Sequence, residues 1–287
     1  MTPLSEVATV TQRLAVLLAA GVAPASAWTY VGVQVDAARV AESLVETTAH
    51  RPELEAQAWR GLAAAWAIAT DAGAPLAPTL RDYATALRSL AHSQREAEVA
   101  LTGPIATARL VMVLPVIGIL FGMALGFDTV GTLFGSPPGW ACLIVGAVLM
   151  LAANRWNHRL VTAAQPGEAT PGIECDLMAI AVSGGGSLDR ARAALDQTVA
   201  RFHLVARADR IDGVLDLSRR AGVPAAELLR GEADEARRSA AADAQAKAAA
   251  LSVSLMLPLG LCVLPAFMVL GVFPLLIAVI SSTAAGF

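Results

Sequence analysis

Few residues of this chain combine a reactive side chain with the spacing that catalysis or ligand binding requires. The stretch Ser183–Ser187, Ser-Gly-Gly-Gly-Ser, has the glycine content of a phosphate-binding loop. Such loops end in Gly-Lys-Ser or Gly-Lys-Thr, because the lysine contacts the phosphates and the hydroxyl contacts the metal ion. This stretch has no lysine. We therefore interpret it as a turn between two helices, with Ser187 as the N-cap of the second.

Histidines and acidic pairs do not form a recognisable site either. The four histidines, which lack cysteine or carboxylate neighbours at metal-ligand spacing, are His50, His92, His158 and His203. The carboxylate pairs Glu53/Glu55 and Asp234/Glu235 are more typical of solvated helix faces than of general acid–base catalysis. We therefore predict no catalytic residue, no cofactor and no metal, and a protein that is not an enzyme.

Two arginine pairs, Arg219–Arg220 and Arg237–Arg238, could contact an acidic protein surface or anionic lipid headgroups. A solvated helix face is the simpler interpretation of each pair. Charge is otherwise balanced, because residues 1–107 carry 7 basic and 10 acidic side chains and residues 154–249 carry 13 of each. Neither segment is the basic surface that nucleic-acid binding requires. The three cysteines have no disulfide or metal spacing, which favours a reducing, cytoplasm-facing location.

Hydrophobic residues make up 56% of the 287-residue chain, and much of this excess lies in a few uncharged runs. Leu110–Phe127 has 18 residues without a charge, which at about 1.5 Å per residue approaches the ~30 Å thickness of the bilayer hydrocarbon. Pro137–Trp156 adds 20 residues, uncharged except for Arg155, with Trp140 and Trp156 placed for opposite interfaces. These two runs predict a hairpin of membrane-spanning helices.

Flanking charges predict the orientation of this hairpin. Arg109 precedes the first run, and Arg155 and Arg159 lie at the end of the second, whereas residues 126–138 contain no Lys or Arg. Because basic residues are enriched on the cytoplasmic side, we expect both outer ends in the cytoplasm. A third uncharged run, Leu251–Ile280, either re-enters the membrane or crosses it once, and we favour one crossing.

Patterns elsewhere predict helices and no sheet. In the first half they predict helices over 4–20, from 25 into 40–48, over 53–72, and from 76 to a break or kink at Gly103-Pro104. In the second half they predict helices over 174–183, from 188, around 211–218 and over 225–250. Trp59, Leu62, Trp66 and Ala69 recur every three or four residues, which predicts a buried helix face rather than a ligand platform.

The predicted fold class is therefore an all-α integral membrane protein, with two homologous cytoplasmic helical-bundle domains and about three transmembrane helices. The domains are a first helical domain over 1–107, a transmembrane hairpin over 108–157 with spans at about 109–127 and 138–156, a linker over 158–172, a second helical domain over 173–249 and a C-terminal membrane segment over 250–282.

An internal repeat relates the two helical domains. Gly73-Ala74-Pro75, a charged helix and Pro115 in an apolar run match Gly222-Val223-Pro224, a charged helix and Pro265 in an apolar run. The glycine-to-proline offsets are 42 and 43 residues. Upstream, residues 18–21 correspond to residues 181–184. The agreement of order and offset favours a duplication over chance recurrence of Gly-x-Pro turns.

Five segments resemble a known family. They are Leu-Leu-Ala-Ala-Gly-Val-Ala-Pro (17–24), Ala-Gly-Ala-Pro-Leu-Ala-Pro-Thr-Leu (72–80), Gly-Pro-Ile-Ala-Thr-Ala-Arg-Leu (103–110), Leu-Pro-Val-Ile-Gly (114–118) and Leu-Pro-Leu-Gly-Leu-Cys-Val-Leu-Pro-Ala-Phe (257–267). Together they resemble the type II secretion system F family, in its tight-adherence (Flp) pilus assembly branch of the actinobacterial type. The resemblance extends over nearly the whole chain, and each half resembles one copy of the family's cytoplasmic helical domain.

This resemblance implies a multi-pass platform protein of the inner (cytoplasmic) membrane, with the N-terminus and both helical domains in the cytoplasm. It implies coupling of a cytoplasmic hexameric secretion ATPase to extraction and polymerisation of pilin subunits. Proteins of this branch often have more spans near the N-terminus, and none is predicted here before Leu110. The platform is therefore expected to be a homo-oligomer or to pair with a second platform protein. The alternatives are a small membrane transporter subunit and a membrane-anchored helical adaptor unrelated to pili.

Overall fold

A computed structural model describes residues 3–36, 39–48, 51–124, 129–164, 170–205, 207–274, 276–277 and 280. Every regular element in these residues is helical, and none of them forms a strand. The all-α prediction is thus confirmed for the described part of the chain. His50, residues 125–127 of the first predicted span, 165–169 of the predicted linker, and residues 275, 278, 279, 281 and 282 of the C-terminal segment lie outside the described residues.

The helices are α1 (Pro3–Ala19), α2 (Pro24–Val31), α3 (Val40–Glu46), α4 (Glu53–Ala72), α5 (Leu76–Ala124), α6 (Thr129–Gly135), α7 (Pro137–Ala164), α8 (Ile173–Ser183), α9 (Leu188–Phe202), α10 (Ala208–Ala221) and α11 (Ala225–Ser254). Short α-helical and π-helical turns follow, namely α12 (Met256–Pro258), π1 (Leu259–Val263), α13 (Leu264–Phe267) and π2 (Met268–Val272). The chain divides into two compact units. The helical unit contains residues 1–95 and 166–243, and the apolar unit contains residues 96–165 and 244–287.

At the centre of the helical unit lies α4, which packs against α1, α3, α8 and α9. From Gly61 to Ala69 every residue of α4 is buried, as expected for a helix that is apolar all round. Trp59 and Trp66 are buried, and the Trp66 ring lies 5.2 Å from the Trp28 ring. The prediction that these tryptophans belong to a bundle core is confirmed.

The two segments of the helical unit share an order of packed helices. In the first segment α1 packs against α2 and α4, and in the second α8 packs against α9 and α10. Both α4 and α10 end at a glycine in the left-handed region, Gly73 at φ 68° and Gly222 at φ 66°, before an x-Pro that opens the next helix. In the predicted repeat, α1, α2, α4 and α5 therefore correspond in order to α8, α9, α10 and α11.

Three helix boundaries differ from the prediction. The single helix expected from 25 into 40–48 is two helices, because Gly32 adopts φ 81° and ends α2. Of the break or kink predicted at Gly103-Pro104, the break does not occur, since α5 continues to Ala124. A proline removes one backbone hydrogen bond, and a 49-residue helix retains the bonds on either side. In addition, α7 continues to Ala164, through the first part of the predicted linker.

Glycines bring three helical segments together in the apolar unit. A Cβ atom added at Gly118 of α5 would lie 3.0 Å from Phe267 Cε2 and 3.4 Å from Gly271 Cα. One added at Gly146 of α7 would overlap the Leu270 side chain. The absence of a side chain at these two glycines therefore allows α5 and α7 to approach the C-terminal segment closely.

Two helices of the described chain are long and apolar enough to cross a membrane, judged by length and composition alone. They are Pro137–Ala163 and the helical run Ala225–Val272, which extends from α11 to π2. In the second, each π turn contains the residue four before a proline, Leu261 before Pro265 and Leu270 before Pro274. A proline offers no N–H to that carbonyl and its ring displaces it, which explains the wider turns at these positions.

Candidate functional site

A charged cleft of about 490 Å³ opens in the helical unit, lined by α5, α8 and α11. Its charged side chains are Asp82, Asp176, Arg230, Asp234, Arg237 and Arg238. Hydroxyl groups of Thr85, Ser89 and Ser93 line the α5 wall at four-residue spacing, so they lie on one face of that helix.

Arg237 is the central side chain of this cleft and is only 9% exposed. Its Nη1 donates to Asp176 Oδ2 at 2.7 Å, and its Nη2 donates to Asp234 Oδ1 at 2.6 Å. A second ion pair joins Arg230 Nε to Asp82 Oδ2 at 3.3 Å. These bonds link α11 to α8 and to α5. The burial of Arg237 makes its pairing with two carboxylates a requirement of the fold, because an unpaired buried charge is strongly destabilising.

Burial and ion pairing act against each other on the pKa values of Asp176 and Arg237. It raises the pKa of Asp176 from 3.8 to about 6, although the Arg237 guanidinium acts in the opposite direction. For Arg237, burial acts to lower the pKa, but Asp176 and Asp234 outweigh it and the pKa is raised. At neutral pH both ions of the Asp176–Arg237 pair are therefore charged.

A smaller charged group lies on the other side of α8. Glu174 is buried, and its Oε1 lies 3.8 Å from Arg210 Nη1, while Arg210 Nε lies 3.8 Å from Glu232 Oε1. Between the two acidic residues of α8 is Cys175, whose pKa burial raises to about 12. The Cys175 thiol is therefore neutral at physiological pH and is a poor nucleophile.

Two glycines position the walls of the cleft. A Cβ atom at Gly61 of α4 would overlap Tyr83 Oη of α5 and lie 2.6 Å from Ile173 Cδ1 of α8. Tyr83 Oη, which is buried, donates to the Ala58 carbonyl at 2.8 Å. At the start of α8, Gly172 has φ 77°, and an added Cβ would lie 2.9 Å from Ala233 Cα of α11. Close backbone approach thus places Asp82, Asp176 and Arg237 around one cleft.

An arginine stripe borders the cleft on α5. It consists of Arg81, Arg88 and Arg95, which recur every seven residues and therefore lie within about 40° of one another around the helix. All three are exposed, and none forms an ion pair with any described residue. Most other arginines of the helical unit are paired, so the stripe is a concentration of uncompensated positive charge.

The structure places the residues singled out in the sequence as follows. Residues 183–187 form a turn, as predicted, in which Gly185 has φ 81° and Ser187 caps α9 by accepting from Arg190 N. A Cβ at Gly184 would overlap the Ala72 carbonyl oxygen, so the turn packs against the end of α4.

The residues of the acidic and basic pairs differ in their burial and in their ion-pair partners. Glu53 accepts hydrogen bonds from Gln57 and Arg60, which lower its pKa, and Glu55 pairs with Arg51. Arg238 is exposed and pairs with Glu235, whereas its neighbour Arg237 is buried and unavailable to a partner. Arg219 and Arg220 are exposed. Among the described residues, no three His, Cys, Asp or Glu side chains lie close enough to hold a metal ion.

Sequence reasoning missed the cleft itself. One signal was present, since Asp176 interrupts the otherwise apolar stretch 175–182, and a lone carboxylate in such a helix needs a partner. Chemically, the described cleft is an ion-paired network beside an unpaired basic stripe, which suits recognition of an acidic protein surface. No family model matches the chain, and neither a curated protein nor a solved structure matches it.

Proposed function

We propose that the chain is a membrane-anchored platform protein of the type II secretion system F family, in the tight-adherence pilus branch. In this role it couples a cytoplasmic hexameric secretion ATPase to the extraction and assembly of pilin subunits. The platform transmits mechanical work and carries out no covalent chemistry. It acts as a homo-oligomer or together with a second platform protein.

The repeated helix order of the helical unit is the observation that carries this proposal. In the first segment α1 packs against α2 and against α4, which ends at Gly73; in the second α8 packs against α9 and against α10, which ends at Gly222. A Gly-x-Pro turn then leads into a long helix, α5 or α11, which has residues in both units. This is the arrangement that the resemblance implies for a duplicated platform domain.

Anchoring in the membrane is supported by length and composition. α7 and the helix Ala225–Val272 are each long and apolar enough to cross a bilayer. We propose a third span in the second half of α5, where Val116, Leu120 and Phe121 are exposed apolar side chains. The basic flanks of the hairpin favour a cytoplasmic location for the helical unit, with the proposed spans in the inner membrane.

The arginine stripe supplies the contact with the ATPase in this proposal. Arg81, Arg88 and Arg95 are exposed and lack ion pairs within the described residues, so an acidic face of a partner can pair with them without first breaking an internal bond. The neighbouring cleft is already ion-paired through Arg237 and contributes shape more than charge.

A charge-reversal pull-down tests the proposal. The detergent-solubilised full chain is mixed with a tagged hexameric secretion ATPase of the proposed class. We expect capture of the wild-type chain, and a loss of affinity of at least about tenfold for R81E/R88E/R95E, because like charges then face each other across the interface.

The matched control is R13E/R39E/R190E, which reverses three exposed arginines of the same unit that also lack ion pairs in the described chain. It should bind as the wild type does. Equal loss in both triple variants would indicate a non-specific charge effect and would contradict the assigned contact. Failure of the wild-type chain to bind the ATPase at all, with the chain folded and in the membrane, would favour the adaptor alternative.

A further inference from the structure

We propose that the cytoplasmic end of α7 binds the phosphodiester of an anionic phospholipid, held by Arg155 and Arg159. This inference rests on the proposed membrane location of α7. The occupant is a lipid with a net negative headgroup, of the phosphatidylglycerol class, whose acyl chains lie along the same helix face.

A groove of about 610 Å³ marks the site. It is lined by Leu151, Asn154, Arg155, His158 and Arg159, which recur at three- and four-residue spacing and so form one face of α7. Along α7 the leucine is the first of these residues, and the two arginines come after it. This polarity matches a phospholipid, which has an apolar end and an anionic end.

The charge of the region is uncompensated. Arg155 and Arg159 form no ion pair with any described residue. Residues 129–164, which include all of α6 and α7, contain no Asp or Glu. Guanidinium groups one turn apart on a helix can both donate to the oxygens of one phosphate. His158 is held nearby by its contact with Thr162, with Nδ1 3.1 Å from Thr162 Oγ1.

Distance along the helix places these arginines at headgroup level. From Pro137 to Asn154 the helix rises about 27 Å at 1.5 Å per residue, which is close to the hydrocarbon thickness of ~30 Å. Arg155 follows directly, and Trp156, partly exposed, is a residue type enriched at this interface.

An apolar stripe runs from the groove towards the other end of the helix. Ile144, Val148 and Leu151 precede Arg155 at spacings of four, three and four residues, and each is more than half exposed. They share the Arg155 face, so one lipid molecule can contact the arginines with its phosphate and this stripe with a chain. An acidic protein segment would match only the arginines, and we therefore assign the groove to a lipid.

The test is lipid retention by the full chain. The protein is placed in nanodiscs of equal parts phosphatidylglycerol and phosphatidylethanolamine, released in the gas phase, and the lipids that remain bound are counted by native mass spectrometry. The wild type should retain phosphatidylglycerol preferentially. Each basic side chain near a membrane surface contributes a preference of about fivefold, so R155Q/R159Q should lower the retained ratio about 25-fold.

The control R13Q/R190Q removes two exposed arginines of the helical unit and should leave the ratio unchanged. An unchanged ratio in R155Q/R159Q, or an equal loss in the control, would overturn the lipid site. Inorganic phosphate in excess should not displace the lipid, because the apolar stripe also holds it; displacement would assign the groove to a soluble anion and refute the proposal.

The two proposals fail in different ways. If the variant and wild type both incorporate into nanodiscs and bind the ATPase but show equal lipid ratios, only the lipid site is wrong. If the wild-type chain does not incorporate into nanodiscs at all, the membrane platform and the lipid site are both wrong.

Discussion

Gly61→Ala is the sharpest probe of the packing that forms the charged cleft. Gly61 lies where α4 meets Tyr83 of α5 and Ile173 of α8, and a methyl group there would overlap Tyr83 Oη. Tyr83 cannot move freely, because its hydroxyl is buried and donates to the Ala58 carbonyl. The substitution should therefore push apart the helices that carry Asp82 and Asp176.

Two opposing contributions determine the change in the free energy of unfolding caused by Gly61→Ala. Replacing a helical glycine by alanine is worth about 1 kcal/mol in favour of the folded state. Inserting a methyl group into a close-packed site costs about 1–3 kcal/mol. Taking about 2 kcal/mol, the middle of this range, as the cost of the overlap with the Tyr83 hydroxyl, we expect a net destabilisation of about 1 kcal/mol. Gly213 of α10 has open space around it, and Gly213→Ala should instead stabilise by about 1 kcal/mol.

Thermal unfolding of the detergent-solubilised chain measures both variants, with tryptophan fluorescence reporting the helical unit through Trp59 and Trp66. One kcal/mol shifts Tm by about 2–4 °C in a domain of 150–250 residues, so the two alanine variants should differ by about 4–8 °C. Tyr83→Phe removes the overlapped oxygen. In the double variant the cost of Gly61→Ala should fall by about 1 kcal/mol relative to its cost alone.

Additivity of Gly61→Ala and Tyr83→Phe would show that the hydroxyl is not the obstacle. A Gly61→Ala chain that gains as much stability as Gly213→Ala would refute the close approach of α4, α5 and α8 altogether.

Two further predictions concern the cleft and the apolar unit. Burial raises the folded-state pKa of Asp176 from 3.8 to about 6, so as pH rises the unfolded chain loses this proton before the folded chain does. The free energy of unfolding should therefore fall as pH rises from about 4 to about 6, by at most about 3 kcal/mol, and then level off. Asp176→Asn should abolish that slope in thermal unfolding across this range, and an identical slope in the variant would assign it to another group. Gly146→Leu should lower the stability of the solubilised chain by about 1–3 kcal/mol, because the new side chain would overlap Leu270. Gly260 has open space around it, so Gly260→Leu should not lower the stability. Equal thermal shifts in the two variants would contradict the packing at Gly146.

Helix ends that a Gly-x-Pro turn marks are predictable from this sequence. Gly73 and Gly222 were assigned to turns from their Gly-x-Pro context, and both adopt the left-handed conformation that ends a helix. The bounds of α4 followed from its apolar spacing and its flanking Pro52 and Gly73. The division between α2 and α3 was missed, because residues 33–35 alternate valine with polar residues and give no turn signal other than Gly32.

The cleft could not be predicted, because its partners are far apart in the chain. Arg237 and Asp176 are separated by 61 residues, and Arg237 lies in an Ala-rich, charged helix that looks solvated on composition alone. Its burial follows from the approach of Gly172 to the α11 backbone, which depends on a glycine conformation and not on any local pattern. A lone carboxylate in an apolar helix implies a partner for Asp176, but only tertiary packing identifies that partner.

The composition of α4 has an entropic consequence for the helical unit. Alanines make up more than half of its buried residues. An alanine has no rotamers to lose when it becomes ordered, whereas each leucine gives up about 0.5–1 kcal/mol of side-chain freedom. The central helix therefore joins the folded state with little loss of side-chain disorder, and most of the rotameric cost of ordering this unit falls on the helices that surround it.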